Sequence, residues 1–154
     1  AKYALMGHRG LGITRAHRYG LRVREYLQNA NDDTAVIVQA EHRDAIAVIR
    51  DIVRVDGVDG VLIGPYDLSA SLGRPGAVGH PDVRDAIARV HDACREVNVP
   101  IGIFGLTADA VKPYMERGFT MIVAGVDTVL LANASSTLLS AVRAIERIAP
   151  VEAR

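Results

Sequence analysis

Two acidic residues, Glu41 and Asp67, fall where short apolar runs end: Glu41 closes Thr34 to Glu41, and Asp67 follows Val61-Leu62-Ile63 through Gly64-Pro65-Tyr66. A buried parallel strand reads as a short apolar run, and a carboxylate at its exit needs a partner. Strand ends of neighbouring βα units share one edge of a parallel sheet, so both carboxylates face one small volume. Left alone they repel, whereas a divalent cation held between them removes that cost and offers open positions to a substrate. Hard oxygen donors with room for water suit Mg²⁺, Mn²⁺ or Co²⁺ better than zinc. The structural alternative is local: Asp67 caps the turn Leu68 to Leu72, and Glu41 pairs with Arg43. Gly64-Pro65-Tyr66-Asp67 adds a feature of its own. Gly64 permits close backbone approach, Pro65 fixes the turn, and the Tyr66 and Asp67 amides point outward at the mouth of a short helix, where a substrate carboxylate fits.

The elements that must hold these residues alternate regularly. Asn29 to Asp33 reads as a turn, Thr34 to Glu41 as a strand, and Ala45, Ile46, Ile49, Ile52 and Val53 as the apolar stripe of a helix. Val61 to Gly64 is a second strand. Pro81 opens a helix whose buried stripe is Val83, Ala86, Ile87, Val90, Cys94 and Val97. Ile101 to Phe104 is a third strand, Thr107 an N-cap, and Val111, Tyr114 and Met115 the inner face of a short helix ended near Gly118. Phe119 to Ala124 is a fourth strand, and a last helix from about Ser135 to Ile148 turns Leu138, Leu139, Val142 and Ile145 inward before Pro150. Ala1 to Asn31 is the least regular part, read as a loop crossing the sheet face and then a short helix over Val23 to Ala30. Four strands alternating with four helices predict an α/β fold with parallel pairing, either an open doubly wound sheet or a section of a (β/α)8 barrel.

The 154 residues suffice for one domain, residues 1–154, with a real core. Eighteen basic and eighteen acidic side chains cancel without clustering, which argues against nucleic acid and anionic membranes and for a small metabolite. The single cysteine, Cys94, makes no internal disulfide, so a reducing cytoplasm is expected. The most apolar stretch, Phe119 to Ala132, falls short of the ~20 residues that span a bilayer and contains Asp127.

Val38-Gln39-Ala40-Glu41, then Val58 to Ser69 (VDGVLIGPYDLS), then Ala124 to Ala132 (AGVDTVLLA), resemble the HpcH/HpaI aldolase family, relatives of citrate lyase beta subunits. Gly7-His8-Arg9-Gly10, with Thr14-Arg15-Ala16 after it, is similar to that family's G-x-R-G segment. The resemblance implies a metal-dependent class II aldolase on a (β/α)8 TIM barrel, acting on a 2-oxo acid such as pyruvate and an aldehyde. It implies Glu41 and Asp67 as metal ligands, and Gln39, Gly64, Pro65, Tyr66 and Asp67 as the substrate-binding set. The metal then stabilises an enolate, and no lysine Schiff base is needed; the only lysines, Lys2 and Lys112, lie away from strand ends. It further implies a homo-oligomer, trimer or hexamer, whose last helix docks on a neighbour. A lyase acting on a CoA thioester and a catalytically silent assembly partner are the alternatives.

A full (β/α)8 domain takes roughly 250 residues, and only four strand-helix units are legible, so the chain, which begins with Ala1, reads as the C-terminal half of such a barrel. The family's catalytic histidine and arginine belong to the other half, and no residue here inherits their roles. Tyr66 stands where alanine is usual, and its phenol either narrows the aldehyde pocket or lies on the rim. Arg9, His42 and Leu62 are further candidates: Arg9 as a surface ion pair or a brace at the site mouth, His42 through its place beside Glu41. Gln39 points the same way as Glu41 and reaches either metal-bound water or backbone. His8, His17, His80 and His91 read as surface or capping residues, and Asp127 as the cap of the last helix.

Overall fold

The computed structural model describes residues 1–146. Its core is a four-stranded parallel sheet in the order β1-β2-β3-β4, with β1 Ile37–Ala40, β2 Gly60–Ile63, β3 Ile101–Gly105 and β4 Met121–Ala124. Each strand lies beside its predecessor in sequence, with no switch point among the described residues.

Strand alternation divides the sheet into two unlike faces. Ala40, Val61, Ile63, Ile101 and Ile103 join one hydrophobic cluster with Ile46 of α2 (Arg43–Ala47), Ile49 of α3 (Ile49–Ile52), Leu68 of α4 (Pro65–Ser71) and the stripe of α5 (Pro81–Glu96). Val38 and Ile122 pack against the same cluster from the same face. Burying each such aliphatic side chain contributes ~1.5–3 kcal/mol, which makes this layer the chief source of stability. On the other face, Ile37 and Val123 remain 48% and 40% exposed, and Gln39 is exposed. The helix layer therefore covers one side only.

The expected α5 stripe is present, with Pro81 at its first turn and Val97 as its C-cap; Thr107 caps α6 (Ala108–Met115) by accepting from the Ala110 amide at 3.2 Å. Several expectations are corrected. Asn29 to Asp33 is not a turn but the end of α1 (Val23–Asp33), where Ala30 is buried and the Asn31 Oδ1 accepts from the Tyr3 amide at 2.7 Å. The helix after β1 breaks at Val48 (φ −114°, ψ 20°) into α2 and α3, within a run of β-branched residues that lose rotamer freedom in a helix. The N-terminal segment, which includes a 3₁₀ turn over Arg15–Gly20, is tied to α1 rather than laid across the sheet: Lys2 Nζ donates to the Asn31 and Thr34 carbonyls, and Tyr3 packs edge-on against Tyr26. Met115 is 56% exposed and not an inner-face residue.

The largest correction concerns the last helix. α7 spans Asp127–Glu146, starting well before Ser135, and Leu138, Leu139, Val142 and Ile145 are 66%, 49%, 45% and 69% exposed rather than inward. The apolar stripe exists, but no element among the described residues covers it. By length and composition alone, its Asp127–Ile145 window, with mean hydropathy 1.3, is apolar enough to cross a membrane. The expected stop at Ile148 and Pro150 lies outside the described residues.

Candidate active site

The pairing of β1 with β2 puts Ala40 beside Ile63, so the next pair along is Glu41 beside Gly64. A Cβ built on Gly64 would stand 2.8 Å from Glu41 Oε2, 3.0 Å from Gln39 Nε2 and 3.1 Å from Glu41 Cβ. The bare glycine is thus what lets the Glu41 carboxylate lie across the exit of β2. Gln39 Nε2 donates to the same oxygen at 2.5 Å and fixes its direction.

Gly64 is also the N-cap of α4, and Pro65, Tyr66 and Asp67 form its first turn. The first helical bond runs from the Leu68 amide to the Gly64 carbonyl at 3.0 Å, so the Tyr66 and Asp67 amides have no partner within the helix. No side chain caps α4, and Asp67 stays exposed with its carboxylate outside the helix bonding. Glu41 is bonded to Gln39, while the nearest carboxylate to Arg43 is Asp44 at 3.9 Å. Neither local alternative for the two acids is realised.

Two serines that sequence reasoning did not single out hold this turn in place. Ser69, fully buried, donates to the Tyr66 carbonyl at 2.6 Å and accepts from the Gly76 amide at 3.0 Å. Ser71 accepts from the Arg43 amide at 3.0 Å, which ties the segment just after Glu41 to the helix that carries Asp67. The signal for Ser69 was its place in the quoted GPYDLS run; Ser71 had none.

The remaining candidates disperse. His42 is the N-cap of α2, its ring nitrogen accepting from the Asp44 amide at 3.3 Å. Arg9 lies 4.7 Å over the Tyr3 ring and takes part in no ion pair among the described residues. Leu62 is half-buried beside Gln39 and Gly102, on the face that Glu41 occupies. Asp127 opens α7, and its carboxylate accepts from the Thr128 amide at 2.8 Å, close to the expected cap. His80 caps α5 as expected, and His17, though buried, is a capping residue of the 3₁₀ turn, its Nδ1 accepting from the Gly20 amide at 3.0 Å; His91 is buried, not a surface residue. His17 bonds the Gly12 carbonyl at 2.7 Å, and His91 stacks on Phe119 at 5.3 Å between ring centres. A 410 Å³ hollow lined by His91, Asn98, Pro100 and Thr120 opens at the amino end of the strands, opposite the carboxylates. The chemistry-bearing groups line the carboxyl edge instead, and no group of three or more metal-ligating side chains occurs among the described residues.

The oxygen chemistry of Glu41 and Asp67, with an amide orienting Glu41, suits a hard divalent cation, and the absence of a Cβ at Gly64 is what gives the Glu41 carboxylate its room.

The chain is 42% identical over 139 residues to a 4-hydroxy-2-oxo-heptane-1,7-dioate aldolase of Shigella sonnei (strain Ss046), covering 89% of this chain and 53% of that protein. It is 41% identical over 134 residues to a hydroxypyruvate/pyruvate aldolase of Sagittula stellata, covering 86% and 53%. It superposes with TM-score 0.82 and 40% identity on the crystal structure of a HpcH/HpaI aldolase/citrate lyase family protein from Burkholderia cenocepacia J2315, over 89% of this chain and 53% of that one. The chain therefore spans about half the length of the relatives it matches. Residues 8–134 match the sequence profile described as HpcH/HpaI aldolase/citrate lyase, and the chain belongs to that family.

Proposed function

We propose that the chain carries the metal-binding half of a class II aldolase site, cleaving or forming hydroxy-2-oxo acids through the enolate of pyruvate or a related 2-oxo acid. The observation that carries this reading is the Glu41 carboxylate laid over Gly64, beside the first turn of α4 that bears Asp67. Glu41 and Asp67 would hold Mg²⁺, Mn²⁺ or Co²⁺, which supplies Lewis-acid stabilisation of negative charge on a keto oxygen. Gln39 keeps Glu41 aimed, and the Tyr66 and Asp67 amides receive the substrate carboxylate. A class II mechanism asks for no Schiff base, and in this chain Lys2 is engaged by two backbone carbonyls while Lys112 lies on α6. The aldolase names of the relatives favour this reading over a thioester lyase.

The sequential strands, the one-sided helix layer and the 53% share of each relative support reading the fold as the C-terminal half of a (β/α)8 barrel. The residues that move the proton then belong to the other half. The exposed apolar stripe of α7 supports docking on a second copy; Asn133, Ser135, Ser136 and Thr137 in its middle favour a protein contact over lipid. Buried, unpaired Cys94 supports a reducing cytoplasm.

The test pairs calorimetric titration of Mn²⁺ with pyruvate release from a hydroxy-2-oxo acid, in the parent and in Glu41→Ala and Asp67→Ala. Both substitutions are expected to abolish metal uptake. Metal uptake that survives both refutes the site.

A further inference from the structure

The pairing of the strands aligns Glu41, Gly64, Phe104 and Val123 as one row across the uncovered sheet face. Gly64 thus has a carboxylate on its β1 side and an aromatic ring on its β3 side. The Tyr66 ring comes down from the first turn of α4 onto Phe104, with ring centres 6.2 Å apart and planes at 63°, an edge-to-face pair. Its backbone is pinned by the buried Ser69 hydroxyl at 2.6 Å, and the residue remains 39% exposed. The two rings thus meet beside Gly64, on the same sheet face as Glu41.

We propose that Tyr66 and Phe104 form an aromatic wall that limits the carbon chain accepted beside Glu41, favouring short 2-oxo acids over longer homologues. The inference rests on the metal-dependent 2-oxo acid reading and adds a selectivity element to it. A molecule anchored by its polar end over Gly64 has the Glu41 and Gln39 groups on one flank, so its chain extends toward the rings. An aromatic pair in that path disfavours a longer chain by the bulk it puts there. The ring, not the phenol hydroxyl, is the working part, since Tyr66 meets Phe104 ring to ring.

The experiment is calorimetric titration of the full chain, in the presence of Mn²⁺, with pyruvate and with 2-oxohexanoate, for the parent, Tyr66→Ala, Phe104→Ala and Tyr66→Phe. The expected result is a preference for pyruvate that falls about tenfold in Tyr66→Ala, moves in the same direction in Phe104→Ala, and stays within about twofold of the parent in Tyr66→Phe. Far-ultraviolet circular dichroism confirms that each variant is folded. An unchanged preference in both alanine variants that still bind pyruvate overturns the wall and leaves the metal reading intact. Equal behaviour of Tyr66→Phe and Tyr66→Ala also overturns it, because the hydroxyl would then set the preference. A parent chain that takes up Mn²⁺ but no 2-oxo acid overturns both.

Discussion

Glu41 and Gly64 form a contact that depends on a missing side chain: the carboxylate oxygen lies 2.8 Å from the point where a Cβ would stand. Gly102 is tight for a different reason, since its Cβ would meet the Met121 carbonyl oxygen at 2.5 Å. The same substitution should separate the two. Gly64→Ala pushes aside the end of a flexible side chain, so the expected result is Mn²⁺ affinity lowered about tenfold or more with little change in melting temperature. Gly102→Ala forces backbone apart between β3 and β4 and is expected to cost ~1–3 kcal/mol in urea denaturation.

Gln39 contributes no charge, yet its amide at 2.5 Å fixes the Glu41 carboxylate. Gln39→Leu is expected to weaken Mn²⁺ binding about tenfold while retaining the stoichiometry, as read by calorimetry. Affinity equal to the parent's would mean that the amide does not orient the ligand.

Stability should follow the helix-covered face alone. Ile63 and Leu68 are fully buried, and truncating either to alanine is expected to cost ~2–5 kcal/mol. Leu138, at 66% exposure, is expected to change chain stability by less than ~0.5 kcal/mol when truncated. If α7 docks on a second copy, Leu138→Ala instead lowers the mass seen by light scattering.

Burial pushes the Cys94 thiol up from its ordinary value to about 11. At pH 8 the native thiolate population is therefore about a hundredfold below that of a free cysteine, and a thiol reagent should register no group until denaturant is added. The unfolded thiol loses its proton near 9.0 and the folded one near 11, so this residue lowers stability as pH rises through that window. A denaturant series from pH 8 to 11 compared with Cys94→Ala checks the sign.

How much of this was legible depended on whether the deciding partner lay nearby in sequence. Glu41 and Asp67 follow neighbouring strands because consecutive βα units pair in parallel, which the alternation of apolar runs already implied. The break at Val48 was hidden, since Ile46 and Ile49 keep a helical spacing across it. The burial of His17 and His91 was hidden because the groups that cover them, Tyr26 and Phe119, are placed by the fold, although His17 keeps the capping part expected of it. The stripe of α7 was correctly seen as apolar, but periodicity reports that a face is greasy and not what covers it. Ser69 and Phe104 acquire their places only through packing and strand register.

Because strand parity sends alternate side chains to opposite sides, the helix-covered core and the proposed site occupy separable sets of positions. Repacking at Ala40, Ile103 or Ile122 offers a route to a thermostabilised chain that keeps its parent's selectivity. If the proposed site holds, changes at Gln39 or Phe104 alter it from the opposite face while the helix layer stays as it is.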